Sequence, residues 1–261
     1  MNTSRALVTG AGRRLGKAMA LGLAKRGFDV VVHYASSKTE ALGVVKEINA
    51  LGQQAAAIQA DLLVTAEAET LVERAASALG GPLTVLINNA SIFEYDTIET
   101  ATAESWDRHI GSNLRAPFIL SQAFARAIPD TITDSAGEPI ASGLIVNMVD
   151  QRVRKLTPEF MTYTLAKWGL WGLTQTTAQA LAPKIRVNAI APGPTMIGSR
   201  QTKEHFSKQR ANTVLQRGAN PGDITAALNY LLDANAVTGQ LLTVDGGQHL
   251  GWRTPDIISE G

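Results

Sequence analysis

The chain has 261 residues, with 24 basic against 23 acidic, 45% hydrophobic residues and no cysteine. Near-neutral charge gives no electrostatic reason to expect nucleic acid or an anionic membrane as partner. The missing thiols exclude disulfides, cysteine nucleophiles and Cys-ligated metal centres, and no metal site is expected. A chain of this size can bury roughly 75% of its unfolded surface as one α/β unit. The opening MNTSRALVTG lacks a basic segment followed by a long apolar run, and no apolar stretch reaches spanning length. The expectation is a cytoplasmic protein with no membrane partner.

In chain order, β-branched runs at 6–9, 29–34, 55–59, 83–87, 143–148, 186–191 and 241–244 alternate with helix-period segments. Those segments lie at 14–26, 39–51, 66–79, 104–127, 160–181 and 223–232. The runs are apolar without alternation, as strands covered on both faces are. The pattern predicts an α/β, single-domain Rossmann fold over 1–261, a doubly wound seven-stranded parallel sheet with helices on both faces. Residues 130–142 read as a surface loop. Residues 194–222 read as a loop that shapes a substrate pocket, and 248–261 as a tail. Trp106, Trp168 and Trp171 read as packing residues on helices.

The first strand runs into Thr9, Gly10, Ala11, Gly12, Arg13, Arg14, Leu15 and Gly16, which open a helix. Such a turn lets backbone approach a pyrophosphate lying at the positive end of the helix. At the end of the second strand, NAD sites place a carboxylate on the ribose. Here stand His33, Tyr34, Ala35, Ser36, Ser37 and Lys38, with no acid. Arg13, Arg14, Ser36, Ser37 and Lys38 instead offer donors and positive charge to a 2′-phosphate, which favours NADP(H). After the third strand, Asp61-Leu62 place a carboxylate near an adenine amine. Asn88-Asn89-Ala90-Ser91 follow the fourth strand, at the sheet end where ligands bind.

Tyr163 and Lys167 lie four apart in a predicted helix, hence on one face. A free phenol titrates near 10. An ammonium beside it favours phenolate and makes the phenol a useful proton donor or acceptor at neutral pH.

In order and spacing, Thr9–Gly16, Asn88–Ala90, Asn113, Tyr163 with Lys167, Pro192-Gly193, Thr238-Gly239-Gln240 and Val244-Asp245-Gly246-Gly247 resemble the short-chain dehydrogenase/reductase family over almost the whole chain. The resemblance implies that Tyr163 donates the proton and that Lys167 tunes it and holds the nicotinamide ribose. It implies that Asn113 positions a water in the relay and that Pro192 and Gly193 border the nicotinamide. Around the cofactor it also places Gly10, Gly12, Leu15, Gly16, His33, Tyr34, Asp61, Leu62, Asn89 and Ala90. It further implies a homotetramer, formed through the helices that carry Trp106 and Tyr163.

Two positions depart from the family pattern: Arg14 stands where glycine is usual, and Asp150 where the catalytic serine is usual. Both changes occur together in pteridine reductases. The chain resembles that subgroup in Gly12-Arg13-Arg14-Leu15-Gly16, His33-Tyr34, Asn89-Ala90-Ser91-Ile92-Phe93 and Asn147-Met148-Val149-Asp150. This implies that Arg14 reaches cofactor phosphate and substrate, and that Ser91 and Phe93 hold a pterin stacked between Phe93 and nicotinamide. A ketone needs a hydroxyl donor for its alkoxide. A pterin takes a proton on ring nitrogen, and a carboxylate can accept from its amino group or relay that proton. Asp150 should also oppose Lys167 and keep the phenol protonated. The expected function is NADPH-dependent reduction of a pterin-type heterocycle. The alternatives are a general reductase of 3-oxoacyl or sugar ketones, and a cofactor-binding regulatory protein without turnover.

Overall fold

The apolar runs become strands because both of their faces are covered. The structure is a computed structural model that describes residues 4–198 and 201–252. Its strands are β1 (Arg5–Val8), β2 (Asp29–Tyr34), β3 (Ala55–Gln59), β4 (Val85–Asn88), β5 (Ile132–Thr133), β6 (Pro139–Ile140), β7 (Gly143–Met148), β8 (Ile185–Pro192) and β9 (Leu241–Val244). Seven of them form the expected parallel sheet, in the order β3-β2-β1-β4-β7-β8-β9. The helices are α1 (Arg14–Lys25), α2 (Lys38–Ala50), α3 (Thr65–Ala78), α4 (Ala103–Ile110), α5 (Ala116–Ala127), α6 (Met161–Leu181), α7 (Lys203–Ala211) and α8 (Pro221–Asp233).

Successive strand residues point to opposite faces, and β2 shows the result. Val30 and Val32 pack with Met19 and Leu23 of α1, Val44 and Ile48 of α2, and Leu228 of α8. Val31 joins the other layer, with Leu71 of α3, Leu120 and Phe124 of α5, and Ala178 of α6. Each fully buried aliphatic side chain of this size contributes about 1.5–3 kcal/mol. The central strands β1 and β4 lie side by side with chain departures to opposite edges, so their carboxyl ends form the crevice where α/β sheets bind ligands.

Four expectations need correction. The helix over 104–127 is broken by a π-turn, Gly111–Arg115, in which the Ala116 N–H bonds the Gly111 carbonyl. Pro117, in the first turn of α5, has no N–H to offer Asn113, so a regular ladder cannot run through. The loop over 130–142 contains the β5–β6 hairpin, and the loop over 194–222 contains α7. Trp106 and Trp168 are exposed rather than packed, whereas Trp171 does pack, against Val149, Val153 and Leu170. The expected tail beyond Trp252 lies outside the described residues.

Candidate active site

The turn between β1 and α1 is held by its neighbours. A Cβ on Gly16 would lie 2.3 Å from the Gly10 carbonyl oxygen and 2.9 Å from Ala11 Cα, so only glycine fits there. A Cβ on Gly12 would lie 2.9 Å from Ser37 Oγ. The backbone N–H groups of Asn89 and Ala90 donate to Thr9 Oγ1 at 2.8 and 2.9 Å, and Asn89 Nδ2 donates to the Thr9 carbonyl at 2.8 Å. Those bonds tie the turn to the end of β4. At the far side of the crevice, Gly193 follows β8, and a Cβ there would lie 2.5 Å from Asp245 Cβ.

His33 lies beneath the turn. Its Nδ1 accepts from the Gly10 N–H at 3.0 Å, and Nε2 lies 3.0 Å from the Ala60 carbonyl. That pairing requires the tautomer with the proton on Nε2. Burial lowers its pKa to about 4, so the ring is neutral. With both nitrogens engaged, His33 supports the turn from within the protein. Tyr34 and Leu62 likewise belong to the two core layers, while Ser36, Ser37 and Lys38 line the surface beside the turn. Asp61 Oδ1 accepts from the Leu63 N–H at 2.9 Å.

Both arginines have partners within the protein. Arg13 pairs with the Glu40 carboxylate. Arg14 adopts a left-handed backbone (φ 52°) and donates to the carbonyls of Ile197 at 2.6 Å and Met196 at 3.0 Å. Its guanidinium therefore bridges the turn to the segment after β8.

At the end of β7 the chemical groups converge. The Tyr163 hydroxyl donates to Asp150 Oδ2 at 2.9 Å, and Asp150 Oδ1 accepts from the Arg152 N–H at 2.8 Å. Lys167 Nζ donates to the Met148 carbonyl at 2.7 Å and lies 5.7 Å from the centre of the Tyr163 ring. Burial is the largest influence on all three. It pushes the phenol well above its ordinary 10, with the Asp150 charge and hydrogen bond acting in the same direction. It raises the Asp150 carboxyl against the pull of Arg152, Tyr163 and Lys167. It lowers Lys167 to about 8, with Asp150 opposing. Asp150 thus acts toward the protonated phenol, and Arg152 and Ser91 act against it.

Ser91 sits beside the phenol and its hydrogen bond acts to lower the Tyr163 pKa. Asn113, expected to hold a water, has both side-chain polar atoms on the Ile92 backbone: Oδ1 accepts from its N–H at 2.9 Å and Nδ2 donates to its carbonyl at 2.8 Å. It fixes the strand of chain between Ser91 and Phe93. The Phe93 ring meets Tyr163 edge-on at 4.6 Å and stacks on Phe160 at 4.4 Å, 6° from parallel. The Arg152 guanidinium covers Phe160 at 4.7 Å. No third ring fits between Phe93 and Phe160, so a flat ligand must use another face of Phe93 or displace Phe160.

The sequence reading missed Phe160 and a buried set below it. Asp96 Oδ1 accepts from the Thr162 N–H at 3.1 Å, and its Oδ2 accepts from the Ser105 hydroxyl at 3.2 Å and from the Thr162 hydroxyl. His109 Nδ1 lies 2.6 Å from Thr162 Oγ1, and its Nε2 accepts from the Glu94 N–H at 3.1 Å. Asp96 and Thr162 are 66 residues apart, so no local pattern pairs them.

Residues 4–209 match the model of the short chain dehydrogenase family. A 3-oxoacyl-[acyl-carrier-protein] reductase of Staphylococcus aureus is 34% identical over 255 residues, covering 95% of this chain and 99% of the relative. An uncharacterized oxidoreductase of Methylorubrum extorquens is 36% identical over 250 residues, covering 93% and 96%. Among solved structures, FolM alternative dihydrofolate reductase 1 of Brucella canis, complexed with NADP, is 42% identical with a TM-score of 0.90, covering 97% of each chain. The chain belongs to the short chain dehydrogenase family, and it is an oxidoreductase.

Proposed function

We propose that this protein reduces a pterin-type heterocycle with NADPH. The observation that carries the reading is the part-buried Tyr163–Asp150 hydrogen bond, 2.9 Å long, at the position where a ketone reductase of this family carries a hydroxyl. The likeness to two Brucella FolM alternative dihydrofolate reductases, each 42% identical and complexed with NADP, supports it.

The cofactor suits the residues present. The turn at Gly10–Gly16 has room for backbone approach to phosphate only because Gly12 and Gly16 lack side chains. Ser36, Ser37 and Lys38, with no acid at the end of β2, suit a 2′-phosphate. Arg13 can join them, since an exposed ion pair such as Arg13–Glu40 is worth only about 0–1 kcal/mol and yields to a phosphate. NADPH, when bound, supplies the hydride.

The chain's own groups supply the rest. The Tyr163 phenol, protonated at neutral pH, gives its proton to a ring nitrogen of the substrate. The Asp150 carboxyl holds the phenolic oxygen in place and accepts from the substrate's amino group or returns a proton to the phenolate. Lys167 stays largely cationic at pH 7 and offsets the negative charge that Tyr163 carries after transfer. Phe93 offers a stacking face once Phe160 is displaced, and Ser91 a hydroxyl beside Tyr163.

NADPH oxidation measured with dihydrobiopterin, dihydromonapterin and dihydrofolate tests the reading. Turnover with at least one, together with loss of pterin activity in Asp150→Ser, is expected. Failure with every pterin alongside good turnover of a 3-oxoacyl thioester would instead support a ketone reductase like the Staphylococcus relative. In that case Asp150→Ser should raise activity by restoring a donor to the alkoxide.

A further inference from the structure

A cavity of about 490 Å³ opens where the loop after Asp150, helix α7 and the turn after β9 meet. Its lining side chains are Lys155, His205, Lys208, Gln209, Asn212 and Gln248, with not one carboxylate among them. Helix α7 supplies four of these at i, i+3, i+4 and i+7, one face of the helix running to its cap residue. That face is unusual. No residue of α7 is buried, so the helix is not held by an apolar stripe of its own. It is anchored instead by Arg210, which donates to the carbonyls of Pro194 at 2.9 Å and Gly218 at 3.0 Å and to Asn220 Oδ1 at 3.0 Å.

The donors facing the cavity are partly fixed. Lys155 Nζ donates to the Gly251 carbonyl at 3.2 Å, which holds the ammonium at the rim with two hydrogens unspent. Gln209 Oε1 accepts from Gln201 Nε2 at 3.1 Å, leaving its amino group as the free donor. Lys155 stands five residues past Asp150, and the intervening 3₁₀ turn (Gln151–Val153) advances slowly. At the maximum reach of about 3.6 Å per residue, the rim lies within roughly 18 Å along the chain of the catalytic carboxyl.

We propose that this cavity binds the anionic tail of the substrate, so that the preferred pterin is one whose side chain ends in carboxylates. A wall of ammonium, imidazole and amide donors without acids recognises carboxylate and offers little to a short neutral side chain. The proposal rests on the pterin reading and narrows it to conjugated pterins.

The test uses the full chain, NADPH and two substrates with the same reducible ring: dihydrofolate, whose tail carries two carboxylates, and dihydrobiopterin, whose side chain is uncharged. In the double variant Lys155→Gln, Lys208→Gln, KM for dihydrofolate should rise roughly tenfold with kcat within about twofold. Both constants for dihydrobiopterin should stay within about twofold, which also shows that the variant folds. In the parent enzyme, added salt should raise KM for dihydrofolate alone. An unmoved dihydrofolate KM, or equal shifts with both substrates, overturns the tail site and leaves the pterin reading standing. No turnover of either pterin by the parent enzyme overturns the pterin reading and this site with it.

Discussion

Lys167 illustrates how burial sets both activity and stability at single residues. Its ammonium is desolvated, and the nearby Asp150 only partly compensates, which lowers its pKa to about 8. The charge is therefore lost as pH rises through about 8, and kcat/KM should fall with a midpoint near there. Stability moves the other way. Between about 8 and the ordinary 10.5 the unfolded chain holds the proton that the folded chain has released, so folding gains as pH rises. A pH–rate profile beside urea midpoints across that range checks both signs; a rate flat to pH 10 would show that the ammonium does not act in the reaction. His33 is the acid-side counterpart. Its pKa falls from 6.5 to about 4, so it contributes stability above pH 6.5 that is lost on acidification toward pH 4. The contribution is about 3 kcal/mol at most, at 1.36 kcal/mol per unit. His33→Leu should flatten acid unfolding in that window and weaken NADPH binding, because the Gly10 N–H loses its acceptor. An unchanged acid transition in the variant would rule this out.

At the scale of elements, one buried carboxylate joins three pieces of the site. Asp96 takes the Thr162 N–H in the first turn of α6, the Thr162 hydroxyl, and the Ser105 hydroxyl from the capping box of α4. His109 links Thr162 to the Glu94 backbone, next to Phe93. Removing one partner of a buried hydrogen bond leaves the other unsatisfied and costs about 1–3 kcal/mol. Thr162→Val should lower stability by about that much and loosen Phe93 against Tyr163. The expected result is a raised KM for the pterin with NADPH affinity unchanged, read from steady-state kinetics and cofactor titration. A variant with parental KM would show the network to be scaffold alone. This network also marks the limit of what was legible in the chain. The strands were readable because both faces are buried, which leaves a continuous apolar run such as Val30–Val32. The catalytic pair was readable because helical spacing is local. Asp96 with Thr162, and Phe160 on Phe93, depend on contacts across 66 and 67 positions that no period encodes. Helix α7 escaped notice for a different reason: with no buried residue it carries no apolar rhythm. The π-turn at Gly111–Arg115 was signalled only by Pro117, one residue inside what reads as a continuous helix.

For the whole molecule, the exposed aromatic and aliphatic side chains on three neighbouring helices bear on assembly. Trp106 of α4, Phe118 of α5, and Leu165 and Trp168 of α6 are each 45–54% exposed, although α4 and α6 pack on one another. Leu165 and Trp168 lie three apart and so share one face of α6, the helix that carries Tyr163 and Lys167. Exposed apolar side chains on helices that form the catalytic layer suit burial against a second copy of the chain. A homotetramer assembled through α4, α5 and α6 is the assembly we propose. Its cost and benefit would both reach the active site, because α6 would be clamped from outside by the partner and from inside by Asp96. Leu165→Arg combined with Trp168→Glu places unpaired charges in that interface without touching the buried face of α6. Light scattering should then report a smaller species than the parent, and activity should fall along with it at low protein concentration. A parental chain that scatters as a monomer, or a double variant that keeps the parental mass, would show that these side chains do not form the interface.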